Sequence, residues 1–231
     1  MFCTKIKICD VRTTEALQIC KDNDVDFIGL HQITSPITTE NIVAFQNIVA
    51  ASGKIKTVLL SQKLPIDEIV NLLKQIPFDY VQLHRTCTIA EVNKLKNKAL
   101  HEAEQKIGVI AVFEAKECNF NEVFEMSRYA EFILFDSHYR GGTGERIPKE
   151  TLEEIAENCK GINYFIAGGI DPNNVEEVIR IAKPYGVDVQ TCLESSKHTK
   201  DPEKVKAFVR NVRATNKSII NVRDSNGRLG R

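Results

Sequence analysis

The stretch EFILFDSHYRGGTGERIPKETLEEIAENCKGINYFIAGGIDPNNVEEVIRIAKPYGVDVQ, residues 131–190, decides the fold. It holds three short apolar runs, FILFD, YFIAG and VDVQ, each separated from the next by a longer amphipathic segment. In the first separator Leu152, Ile155, Ala156 and Cys159 recur at helical spacing, so one face of a helix is apolar. A continuous apolar strand followed by such a helix is the unit of a parallel sheet buried on both faces.

The same unit repeats outward in both directions. KIKIC from Lys5, DFIGL from Asp26, IKTVLL from Ile55, YVQLH from Tyr80 and IGVIAVF from Ile107 precede it, which makes eight strands. Their starts lie 21 to 32 residues apart, enough for one helix and two short loops but too little for an inserted domain. Ile66, Ile69, Leu73 and Ile76 form another apolar stripe, and Val205, Phe208, Val209 and Val212 a third. Pro172 and Pro202, after Asp171 and Asp201, are placed to open helices behind an aspartate N-cap. Eight units close most simply into a (β/α)8 TIM barrel. A doubly wound open sheet is the alternative, but CDVRTTEA after the first strand carries no glycine-rich dinucleotide turn. Residues 1–213 are assigned to the barrel. The polar segment 214–231, ATNKSIINVRDSNGRLGR, is read as a loosely ordered tail.

Composition narrows the function. Among 231 residues, 31 Lys and Arg balance 31 Asp and Glu, so no overall field attracts nucleic acid or an acidic membrane, and a small molecule is the expected partner. No apolar run reaches the roughly 20 residues that cross a bilayer, and the opening MFCTKIKICD lacks a signal-peptide core, so a cytoplasmic setting is expected. Seven cysteines, odd in number and without a C-x-x-C pair, argue against a disulfide framework or a zinc clip and read mostly as small buried hydrophobes. No motif fixes an oligomeric state.

In a barrel the reacting groups sit at the C-terminal ends of the strands. That rule selects Cys9, Asp10, Arg12, His31, Ser61, Gln62, Gln82, His84, Arg85, Glu114, Asp136 and Ser137, together with the residues that end strands seven and eight. Two glycine clusters fall at the same end: Gly141, Gly142 and Gly144 in GGTGE, and Gly168 and Gly169 in AGGI. Glycines let backbone N–H groups approach an anion closely, so with Thr191 and Cys192 these positions form a candidate phosphate site. A phosphorylated substrate is expected. The plainer reading, tight turns alone, applies to either cluster singly.

KIC-x-VRT at the first strand, VQLH at the fourth, LFDS with GGTGE at the sixth, IAGGIDPNNV at the seventh and GVDVQTCLES with KDPEKV at the eighth resemble, in order and spacing, the phosphoribosylanthranilate isomerase family of tryptophan biosynthesis. The resemblance implies an Amadori rearrangement: the ribose ring of an N-aryl phosphoribosylamine opens and a proton leaves C2′ to give a ketone, with no metal or redox cofactor. By the same resemblance Cys9 is the base and Asp136 the acid. Cys9 taken alone reads more readily as inert packing, the commoner fate of a cysteine that ends an apolar strand. A carboxylate directly after FILF at a barrel rim needs a partner or a role.

The sequence departs from the family pattern mainly around the substrate. Asp10 replaces the family's glycine after the cysteine; it could oppose a thiolate, act as the base itself, or cap the next helix. Ile37 stands where the family's S-P-R arginine holds the anthranilate carboxylate, so that charge-assisted contact is lost. Arg85 follows VQLH where the family has glycine and is either a solvated residue or a relocated clamp. With Asp10, Arg12 and His84 it completes the expected substrate-binding group. His31 reads as a polar wall residue. The competing readings are a phosphosugar lyase or aldolase using Asp10, His84 or Asp136, and a non-catalytic phosphate-binding paralogue.

Overall fold

A computed structural model describes residues 3–32, 35–138 and 144–227, with side chains up to residue 221. Eight parallel strands close in sequence order into one barrel. They are β1 (Lys5–Ile8), β2 (Phe27–His31), β3 (Lys56–Ser61), β4 (Tyr80–Leu83), β5 (Gly108–Glu114), β6 (Phe132–Asp136), β7 (Tyr164–Ile166) and β8 (Gly186–Val189). The helices between them are α1 (Thr14–Asp22), α2 (Thr39–Ala51), α3 (Ile66–Leu73), α4 (Ile89–Glu102), α5 (Phe120–Met126), α6 (Lys149–Asn158) and α7 (Val175–Ala182), and α8 (Pro202–Gly227) closes the ring.

Alternation along each strand sorts its side chains. In KIKIC the isoleucines Ile6 and Ile8 join the outer core beneath the helices, while Lys7 and Cys9 turn into the bore. An aromatic layer of Phe27, Tyr80, Phe132, Phe165 and Tyr185 fills the N-terminal half of the bore. Its rings meet edge-on or tilted at centroid distances of 4.7 to 6.0 Å. The packed plug fills the lower half of the bore, so a cavity within the bore must lie in its C-terminal half.

Four details differ from the sequence reading. The β8–α8 connection carries a 3-10 turn (Thr191–Leu193) and a two-stranded hairpin, β9 (Glu194–Ser196) with β10 (Thr199–Lys200), which its polar composition hid. Asp201 does cap α8, accepting from the Glu203 and Lys204 amides, but Asp171 caps only a turn and α7 begins at Val175. The segment read as a loose tail continues α8 to Gly227, because Thr215 and Asn216 are buried and the Asn216 amide grips both the N–H and the carbonyl of Thr4. Of the seven cysteines only Cys9, Cys20 and Cys159 are buried, and all seven are free thiols.

Candidate active site

A cavity of about 730 Å³ opens at the C-terminal mouth, within the size range of small-ligand sites. Cys9 and Asp136 both line it, as do Asp10, Arg12, His31, His84, Gly144, Gly168, Gly169, Thr191 and Cys192. Gly141 and Gly142 lie outside the described residues.

Cys9 follows the last residue of β1, and its amide donates to Val189 O at 2.8 Å, which continues the ladder to β8. Its Sγ lies 3.1 Å from Lys7 Nζ and 3.1 Å from His31 Nε2. Burial pushes the thiol up to about 11; Asp188 adds to the shift and Lys7 opposes it. Gly29 on β2 makes the room: a Cβ there would sit 2.5 Å from Sγ and 3.2 Å from Lys7 Nζ.

Lys7, wholly buried, is paired across the β1–β8 register with Asp188 at 2.9 Å. Burial works against the ammonium, but the Asp188 carboxylate and Cys9 outweigh it, and Lys7 is held above the usual lysine range. Burial also raises Asp188 against the pull of Lys7. With the two groups in direct contact, the charged pair is the form consistent with the geometry.

Asp136 ends β6 facing His84, whose Nε2 is 3.8 Å from Oδ2. Gln82 donates to His84 Nδ1 at 3.0 Å, which leaves the Nε2 proton directed at the carboxyl. Burial first, then the charge of Asp188, pushes Asp136 up to about 6. It therefore holds a proton at mildly acidic pH, as a general acid must.

Asp10 sits at φ +60°, in the left-handed region where glycine is favoured and aspartate is among the few tolerated substitutes. Fully buried, it accepts from Arg12 Nε at 2.6 Å and from His198 Nδ1 at 2.6 Å, and His31 Nδ1 stands 3.6 Å away. Burial raises its pKa, but Arg12, His31 and His198 together bring it below the usual carboxylate range. It is not the helix cap, because Thr13 Oγ1 accepts the Ala16 amide at the start of α1. Nor is it what lifts the cysteine.

Arg85 does not reach the cavity wall. Glu91, fixed as the acidic member of the Thr88 capping box on α4, draws the guanidinium to 2.7 Å. Lys197 and His198 do line the cavity, although the sequence reading passed over both because the hairpin carrying them was not seen. Lys7 and Asp188 were missed for another reason. The alternation of KIKIC and of VDV places both inside the bore, but a lysine there contradicts hydropathy unless its partner is known.

The candidate phosphate end is built from backbone. Gly168 (φ +85°) and Gly169 (φ +58°) lie in left-handed conformations, and a Cβ on Gly168 would strike Ser137 Oγ at 2.5 Å. Their amides take no acceptor among the described residues. Thr191 and Cys192 open the 3-10 turn, so their N–H groups are not consumed within it. As for metals, Asp10, Glu194 and His198 place ligand atoms within 4.8 Å of one another. Arg12 and Lys200 already neutralise those carboxylates at 2.6 and 2.9 Å, so the set does not suit a divalent ion.

Residues 6–211 match the family model described as N-(5'-phosphoribosyl)anthranilate (PRA) isomerase. The chain belongs to this family. It is 30% identical over 219 residues to the N-(5'-phosphoribosyl)anthranilate isomerase of Leptospira interrogans, covering 92% of this chain and 96% of that one. The enzyme of the same name from Aquifex aeolicus is 31% identical, covering 91% and 98%. The solved N-(5'-phosphoribosyl)anthranilate isomerase of Pyrococcus furiosus superposes with a TM-score of 0.70 at 26% identity, covering 90% of this chain and 98% of that one. As a PRA isomerase family member the chain is an intramolecular aldose–ketose isomerase of tryptophan biosynthesis. Among the described residues no helix is long and apolar enough to cross a membrane.

Proposed function

We propose that the chain converts N-(5'-phosphoribosyl)anthranilate to the corresponding 1-deoxyribulose phosphate, with Asp136 as general acid and Cys9 as general base. The observation that carries this reading is one cavity lined by both groups, with the glycine loops after β7 and the turn after β8 on its wall. Asp136 protonates the ring oxygen, the C1′–O4′ bond breaks and an iminium forms. Cys9 then takes the C2′ proton. His84 steadies the Asp136 carboxylate as it loses its proton, and the amides of Gly168, Gly169, Thr191 and Cys192 hold the phosphate. Gly144 lies on the same wall.

The aryl carboxylate needs a cation, and Ile37 supplies none. Arg12 takes that role in this reading. Its half-exposed guanidinium lines the cavity, and with Nε committed to Asp10 its outer edge remains for a ligand carboxylate.

The test is loss of phosphoribosylanthranilate fluorescence. Cys9→Ala and Asp136→Asn should each lower kcat by about 10²–10⁴. Turnover unaffected by both substitutions removes the assignment of the pair.

A further inference from the structure

Cys9 is not a lone thiol. It lies in the middle of a buried row of groups running Asp10, His31, Cys9, Lys7 and Asp188, with contacts of 3.6, 3.1, 3.1 and 2.9 Å. The row follows from strand geometry. Lys7 and Cys9 share the inner face of β1, Asp188 is the β8 register partner of Lys7, and Gly29 on β2 leaves a gap into which Sγ fits. His31, two residues beyond Gly29, points to the same face and reaches the sulfur.

We propose that His31 accepts the Cys9 thiol proton, so that the base of this enzyme is a Cys9–His31 pair oriented by Asp10. The inference rests on Cys9 being the base. With the Asp10 carboxylate next to Nδ1, the favoured tautomer carries its proton on Nδ1 and presents the Nε2 lone pair to the thiol. Burial opposes either charge alone, pushing the thiol up to about 11 and the imidazole down to about 3, so the resting pair is neutral. The charges arise together. When the proton crosses to Nε2, the imidazolium faces Asp10 and the thiolate faces the Lys7 ammonium, and signs then alternate along the whole row.

The proton count closes. Asp136 protonates O4′ as C1′–O4′ breaks. The thiolate takes the C2′ hydrogen, whose electron pair becomes the C1′=C2′ bond while the iminium π pair returns to nitrogen. As the enol becomes the ketone, the imidazolium gives its proton to C1′ and the O2′ proton restores Asp136. No oxidant, reductant or metal enters the balance.

The experiment measures kcat/KM for phosphoribosylanthranilate between pH 6 and pH 9 in the wild type and in His31→Gln. The ionisation of Asp136 is common to both enzymes and divides out of their ratio. Without His31 the thiol must lose its proton to solvent. The wild-type to variant ratio should therefore be at least about 100 at pH 7 and shrink about tenfold per pH unit above it, carried by kcat with KM nearly constant. Beyond the contact between the two, the groups acting electrostatically on Cys9 are Lys7, Asp188 and Lys200, and those acting on His31 are Lys7, Asp10, Arg12 and His84. The β3 neighbour of His31 is the apolar Leu60.

A ratio that stays constant with pH, or is near one, overturns the proposal, because a purely structural role lowers the rate uniformly. Asp10→Asn, which keeps a side chain tolerant of the left-handed backbone and leaves His31 in place as the proton acceptor, should show a smaller ratio that does not change with pH. If His31→Gln does not fold, His31→Asn, which likewise removes the acceptor, carries the test with the same expected slope. A Cys9→Ala enzyme that still turns over would overturn the base assignment itself. An inactive Cys9→Ala with a pH-independent ratio for the His31 variants would overturn only the pair.

Discussion

Replacing Asp136 by asparagine should make the protein more stable at pH 8 while abolishing most of its turnover. The magnitude follows from burial. The carboxyl is raised from 3.8 to about 6 because the folded site disfavours its charged form. A group raised in this way contributes stability that is complete below its unfolded pKa and is lost as pH rises through the folded one. At pH 8 the wild type has lost all of it, about 3 kcal/mol, since each pKa unit corresponds to about 1.4 kcal/mol. Asparagine carries no charge at any pH and avoids that loss. The advantage of Asp136→Asn should therefore be about 3 kcal/mol at pH 8 and only about 0.5 kcal/mol at pH 4. Hydrogen bonds from Ser137 Oγ at 3.3 Å and the His138 amide at 3.5 Å are long, so their rearrangement subtracts little. Urea unfolding at the two pH values, read by circular dichroism, gives the difference directly. A variant no more stable than wild type at pH 8, or an advantage independent of pH, would refute the claim that Asp136 is a strained buried acid.

Three further perturbations test the surroundings. Gly29→Ala places a methyl group 2.5 Å from Cys9 Sγ, so kcat should fall about 100-fold through displacement of the base, measured by the fluorescence assay on folded protein. Lys7→Met leaves Asp188 buried without its counter-charge and should cost about 3–5 kcal/mol in urea unfolding at pH 7, with part of the loss recovered in acid as Asp188 protonates. Arg12→Gln should raise KM for phosphoribosylanthranilate about tenfold while leaving binding of an analogue without the aryl carboxylate nearly unchanged, read by steady-state kinetics and competitive inhibition.

Much of this architecture was legible beforehand, for identifiable reasons. Eight apolar runs at regular spacing admit few topologies, and the stripes at Ile66 and Val205 could only cover a sheet. The strand-end rule then placed Cys9, Asp136, Gly168 and Thr191 at one mouth. What escaped was whatever depended on register or on very short elements. The β9–β10 hairpin uses three and two residues of polar sequence, so it left no periodic trace, and His198 went with it. Asp171 and Asp201 look alike as N-caps before proline, but only Asp201 is followed directly by helix. Arg85 sat correctly at a strand end, and local capping chemistry turned it away. The contact between His31 and Cys9 needs the pairing of β1 with β2 and the missing side chain at Gly29, neither of which a single strand reveals.

The departures from the family pattern around Cys9 depend on one another. A carboxylate at position 10 costs backbone strain at φ +60° and places a buried negative charge one residue from the proposed base. Alone it would suppress the thiolate. It does not stand alone, because Arg12, His198 and His31 converge on its two oxygens. Its charge is engaged by Arg12 and by the two imidazoles before it can act on sulfur, and one of those partners, His31, is also the neighbour of the thiol. Reverting Asp10 to glycine while keeping His31 would therefore leave an imidazole with no counter-charge beside the cysteine. Such an enzyme should be slower than the wild type although it is closer to the family sequence, and a faster one would show that the cluster serves packing rather than proton transfer.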